Sequence, residues 1–216
     1  LEGVPNLLDG IDQPLERARR YLGARFDAGL GALDYAVEYG GRGLDRGFVD
    51  IFRDEASGRE PGGNDAGLGI GIDMCLPTIR DHGSDALKDR FLRPGLRGEE
   101  VWCQLYSEPG AGSDLAGLTT RAERDGDEWI VTGQKVWTSG AEVSDLGILL
   151  ARTDPDVPKH RGISMLVLPM RQPGVEIRPL MQMTGVSQFN EVFIDEARIP
   201  AGWIVGEEGG GWQIAV

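Results

Sequence analysis

Apolar residues in the first part of the chain recur at helical spacing. Leu15, Ala18, Leu22 and Phe26 stand three to four residues apart, as do Phe48, Ile51, Phe52 and Ala56, and each set predicts one helix with a single apolar stripe. Between them "EYGGRGL", Glu38 to Leu44, reads as a glycine-punctuated loop. The segment 65–79 carries Leu68, Ile70, Ile72, Met74, Leu76 and Ile79 around several faces, as a helix buried among others would, with Pro77 predicted to bend or end it. Ser84 is placed to cap a short helix carrying Leu87 and Phe91, which Pro94 and Gly95 are predicted to stop.

Near Trp102 the period shortens. "TTRAER" and "DEWIVTGQKVW" flank Asp125 and Gly126, a strong short-range hairpin signal. Further strands are predicted at 146–152, 163–169, 175–180 and 189–200, and "GEEGGGWQIAV" turns helical again. No helical segment separates consecutive strands, so the expected fold is α+β: an N-terminal helical bundle followed by an antiparallel β-barrel. The expected domains are a helical one at 1–101, a barrel one at 102–208, and the start of a second helical domain at 209–216.

Composition narrows the function. With 216 residues, 40% of them apolar and 26% charged, the chain is of ordinary globular type and can bury a sizeable core. The net charge of −13 argues against a nucleic-acid surface, which needs a clustered basic footprint. The one local basic run, Lys159 to Arg161, reads as a solvated loop tip. No apolar run has the roughly 18 to 20 residues of a membrane span. Cys75 and Cys103 stand too far apart in sequence for a redox or zinc pair, and a reducing cytoplasm is the expected location.

Several chemistries fail on spacing. "GAGSDLAG" is not a dinucleotide fingerprint, because Leu115 occupies the place of the third glycine, and no lysine follows to make it a P-loop. His82 and His160 have no spaced partners for a hydrolase triad or a zinc site, so no metal is expected. What remains is a pair of stretches. "QLYSEPGAGSDL", Gln104 to Leu115, offers bare amides with Ser107 and Ser113, and "KVWTSG", Lys135 to Gly140, offers an indole beside Ser139. Side by side they could bond the edge of a flat heteroaromatic ring while Trp137 packs on it. The alternative is that Trp137 and Tyr106 are core aromatics and the glycines only make a tight turn.

"SEPGAGSDLAGLTTRAERDGDEWIVTGQKVWTSGA" resembles the two flavin-binding signatures of the acyl-CoA dehydrogenases at their usual separation. "EYGGRG" is similar to a loop of that family's helical N-terminal domain, and "FNEVFIDEARIP" to the exit of its middle domain. The resemblance implies α,β-dehydrogenation of an acyl-CoA thioester in lipid metabolism such as fatty acid beta-oxidation. It implies FAD as cofactor, with Gln104, Leu105, Tyr106, Ser107, Gly112 and Ser113 lining it from one loop and Trp137, Thr138 and Ser139 from the other. Ser113 would also touch the acyl-CoA substrate. An electron-transfer flavoprotein or similar carrier would be the acceptor, and a homo- or hetero-oligomer the full-length assembly. The family's catalytic glutamate belongs to a further helical domain, so no catalytic residue is named within these residues, and the chain alone is expected to be inactive. Two other readings stay open: a non-catalytic subunit or interaction module, and a related acyl-CoA oxidase or flavin monooxygenase.

Overall fold

The computed structural model describes residues 11–57 and 67–216. Helix α1 (Pro14–Asp27) has proline in its first turn, where the missing N–H costs nothing, and buries Ala18 and Phe26. Helix α2 (Arg46–Ala56) is capped by the Asp45 carboxylate, which accepts from the Gly47 amide at 2.9 Å. Its predicted stripe is helical but not buried: Phe48 is 52% and Ile51 61% exposed, because no described element packs over them. Phe52 and Ala56 are half-buried, Phe52 under the Arg25 guanidinium 4.6 Å from its ring centre.

Asp65 and Ala66 lie outside the described residues, and beyond them the expected helix runs without a break over 69–82. A π-helical turn (Gly71–Cys75) runs into α3 (Leu76–His82). Pro77 does not end it; it follows directly on the π-helical turn, as the second residue of α3. Helix α4 (Asp85–Leu96) begins as expected, with the Ser84 hydroxyl accepting from the Leu87 amide at 3.3 Å. It then runs through Pro94 and Gly95 instead of stopping there. Burial explains this: Leu92 and Leu96 sit in the core, and a Cβ at Gly95 would meet the Leu76 side chain at 2.5 Å. Glycine therefore lets α3 and α4 close on each other, and that packing outweighs one lost backbone hydrogen bond.

The strands are β1 (Trp102–Leu105), β2 (Arg121–Asp125), β3 (Glu128–Ser139), β4 (Leu146–Arg152), β5 (Ile163–Pro169), β6 (Val175–Leu180), β7 (Phe189–Pro200) and β8 (Ile204–Val205). Bounds at β4 to β7 match those read from sequence, and the hairpin between β2 and β3 forms with Gly126 at φ 58°. The short α5 (Gly211–Ala215) follows.

The expected antiparallel barrel is not what forms. The sheet is mixed and open, in the order β6-β7-β3-β2-β4-β5-β8, with β1 also on β4. Both β1 and β2 run parallel to β4, through Trp102↔Leu146 to Leu105↔Leu149 and through Arg121↔Arg152. Absence of a crossover helix misled the topology, because β3 and the turn after it carry the chain from β2 to its parallel neighbour β4, so no helix is needed for the connection. Closure fails at the ends. Strand β8 is two residues long, and β6 exposes Glu176, Arg178 and Pro179, the charged and proline-bearing pattern of an edge.

One face of the sheet (Leu146, Ile148, Leu150, Met165, Val167) shares a core with α3 and α4, where Phe91 stands edge-on to Trp102 at 5.3 Å and to Trp203 at 4.8 Å. The other face (Leu149, Leu166, Val131, Val192, Ile194) curls around a second core. Across it β7 approaches β5 without a hydrogen-bonded ladder between them.

Candidate functional site

Strands β1 and β2 lie in line along one edge of β4, so 106–120 is an excursion from what is otherwise a single flanking path. It leaves opposite Leu149 and returns opposite Arg152, a gap of about 10 Å at strand rise. Within it Glu108 and Ala111 exchange both backbone hydrogen bonds, at 3.1 and 3.0 Å, with Pro109 and Gly110 at the exposed tip of that turn.

The neck of the excursion is closed by one carboxylate. Glu108 accepts from the Thr119 amide and hydroxyl, both at 2.7 Å, from the Thr120 amide at 2.9 Å and from Lys135 Nζ at 2.9 Å. Lys135, 0% exposed, also donates to the Tyr106 carbonyl at 3.0 Å. Burial opposes ionisation of both partners. At Glu108 the Lys135 ammonium and the threonine donors overcome it and hold the carboxyl at about 2. At Lys135 burial prevails over the pull of Glu108 and lowers the ammonium to about 8. Further along, the Arg152 guanidinium donates to the Ala116 and Leu118 carbonyls, and Lys159 bonds both Asp114 oxygens, at 2.7 and 2.9 Å. The basic run Lys159 to Arg161 is exposed, as expected of a solvated loop tip, and from there Lys159 reaches Asp114 of the glycine-rich loop while His160 stands edge-on to Trp212 at 4.7 Å.

The second stretch sits on a β-bulge. Lys135 pairs with Val192 and Thr138 with Asn190, so β3 spends one residue more than β7 over this interval. Trp137 absorbs the difference at φ 62°, a left-handed conformation that strains a bulky residue, and its indole projects outward, 61% exposed and edge-on to Phe189 at 6.0 Å. The Val136 amide donates to the Ser107 carbonyl at 2.9 Å, so the bulge and the loop are directly joined.

The two stretches proposed from sequence thus meet, though their residues contribute differently. Gln104 is half-buried on β1, while the Leu105 side chain is in the second core and offers a ligand only its backbone. Tyr106 is largely buried, which pushes its phenol up to about 12. Gly112 and Ser113 are exposed; Ser107 and Ser139 are half-buried. Thr138 is buried and its Oγ1 has no hydrogen-bond partner, nor has Oδ1 of the facing Asn190. Gly110 and Gly112 have nothing within 4 Å of the place a Cβ would occupy, and neither has positive φ. Neither backbone conformation nor packing within the chain requires glycine there.

Sequence reasoning assigned no structural task to Glu108 or Lys135. Alternation along β3 carried the signal: Lys135 falls on the same period-2 face as Trp129 and Val131, and a lysine on a buried face needs a buried anion. Away from this site, a cavity of about 400 Å³ opens in the helical half, lined among others by Leu22, Tyr35, Phe52 and Arg80.

Fold and site together define a chain in which a helical half buttresses an open sheet whose rim holds a joined glycine-rich loop and exposed indole. The chain belongs to the acyl-CoA dehydrogenase family: residues 10–99 match the family's N-terminal domain and residues 103–197 its middle domain. Acyl-CoA dehydrogenase IpdE1 of Mycobacterium tuberculosis is 46% identical over 191 residues, covering 88% of this chain and 49% of that protein. Acyl-CoA dehydrogenase FadE34 of the same organism is 53% identical over 141 residues, 65% of this chain and 20% of that protein. Among solved structures, the ChsE4-ChsE5 complex from Mycobacterium tuberculosis superposes with a TM-score of 0.76 at 37% identity, over 92% of this chain and 50% of that one. The chain spans about half the length of most of these relatives.

Proposed function

We propose that this chain supplies the flavin-holding part of an FAD-dependent acyl-CoA dehydrogenase. The observation that carries it is the open space at Gly110 and Gly112, on a loop bonded directly to the bulge that turns Trp137 outward. These residues fit a flavin. Bare backbone leaves room for a ring or its tail, and Ser107 and Ser139 are half-buried hydroxyls on the two joined stretches. Trp137 presents an apolar face that nothing in the chain covers fully. FAD, when bound, supplies the two-electron acceptor for oxidising the α–β bond of the acyl thioester.

The chain's own residues align and shield. The backbone amides of Gly110, Gly112 and Ser113 and the serine hydroxyls orient the ring edge, and the indole excludes water from one side. Glu108 is no candidate for the proton-abstracting base, because its oxygens are engaged by Lys135, Thr119 and Thr120 and its pKa is held at about 2. The proposed substrate is an acyl-CoA thioester, contacted in part by Ser113. The proposed acceptor is an electron-transfer flavoprotein or similar carrier, within a cytoplasmic homo- or hetero-oligomer. The names of two relatives support the acyl-CoA dehydrogenase part of this reading, and the complex among the solved structures supports an assembly of subunits.

Gly112→Leu tests it. The new side chain enters open space, so stability should stay within about 0.5 kcal/mol. FAD affinity, read by quenching of flavin fluorescence, should fall at least about tenfold, or roughly 1.4 kcal/mol. Affinity equal to that of the unaltered chain would remove the basis of the assignment.

A further inference from the structure

We propose that Glu108 and Lys135 are positioning residues of this site: their buried ion pair clamps the neck of the glycine-rich loop and fixes its backbone relative to the Trp137 bulge. The clamp itself follows from geometry; its consequence for the ligand rests on the flavin reading above.

Every strand of the neck converges on this pair. Glu108 joins the entry of the excursion to its exit through the Thr119 and Thr120 amides. Lys135 joins that carboxylate to β3 two residues before Trp137, and through the Tyr106 carbonyl to the entry once more. Both side chains are almost wholly buried, at 0% exposure for Lys135 and 4% for Glu108, so neither is held in place for solubility. Residues 109–114, by contrast, carry little packing of their own: apart from Ala111 they are exposed. The placement of the loop's amides is therefore set chiefly at its neck, with Lys159 on Asp114 and Arg152 on the Ala116 and Leu118 carbonyls as outer ties. A buried charge pair suits this task, since each partner is costly without the other and the pair tolerates only one register.

The prediction separates positioning from stability by neutralising both partners together. In the Glu108→Gln/Lys135→Met double variant no charge is left unpaired, so the chain should retain a thermal midpoint within a few degrees of the unaltered protein. Its loop amides at 110–118 should nevertheless exchange with solvent deuterium at least about tenfold faster, while those of α4 and β5 stay unchanged. FAD affinity should fall at least about tenfold, with a shift in the bound-flavin absorption envelope. Unchanged loop exchange in a folded double variant would overturn the clamp. Accelerated exchange with unaltered flavin affinity would overturn its positioning role. If the unaltered chain binds no FAD, the flavin reading fails, and the exchange measurement still decides the clamp. Should the double variant not fold, Thr119→Val takes its place. It removes the hydroxyl donor 2.7 Å from Glu108 while keeping the ion pair, and should speed exchange at 116–119 by about threefold, with no change counting against the clamp.

Discussion

Lys135 shows how much can depend on one side chain. Its ammonium has no water to fall back on, so Glu108→Gln alone should cost about 3 to 5 kcal/mol in denaturant unfolding, well beyond a surface substitution. Glu108 also makes the fold sensitive to acid in a defined window. Its folded pKa of about 2 lies below the ordinary 4.5, so its stabilisation is complete above pH 4.5 and is lost as pH falls toward 2. The unaltered chain should therefore take up more protons on unfolding across that interval than Glu108→Gln does, measurable from the pH dependence of the denaturant midpoint. Trp137 is strained for a different reason. Trp137→Gly relieves the left-handed backbone, a gain of about 1 to 2 kcal/mol set against the lost edge contact with Phe189, and should leave the thermal midpoint unchanged or raised while weakening FAD binding.

Among the elements, the return of the glycine-rich loop depends on the absence of a side chain from β3. A Cβ at Gly133 would stand 2.3 Å from Thr120 Oγ1 and 2.7 Å from its Cα, so Gly133→Ala must push the loop's exit off the strand. The expected cost is about 1 to 3 kcal/mol, with faster amide exchange at 119–121, and a stability equal to the unaltered chain would show that the contact gives way freely. Strands β4 and β5 were legible as short unbroken apolar runs, buried on both faces, and β6 and β7 by alternation. Pro94 and Gly95 misled because local propensity reports a segment's intrinsic cost, and here Leu96 burial and the approach of α3 exceeded it.

At the level of the whole molecule, the helical half and the sheet share a core centred on Phe91, Trp102 and Trp203. Phe91→Ala should cost about 3 to 5 kcal/mol. Loss of helical circular dichroism and change in tryptophan fluorescence should coincide in one transition, and separated transitions would show that the halves unfold independently. Asp145, which accepts from the Val101 amide at 2.9 Å and pairs with Arg19, adds a polar tie at the same junction. Among the described residues no helix is long and apolar enough to cross a membrane.

The order of helices and strands, the hairpin at Gly126 and the two stretches of the candidate site were written in the chain itself, because periodicity and turn chemistry are local properties. That the sheet stays open, that β1 and β2 flank β4 in parallel, and that Glu108 reaches Lys135 were settled only when the strands were laid side by side. Such pairings join residues far apart in sequence, and their energy lies in burial and neighbours that no short window contains.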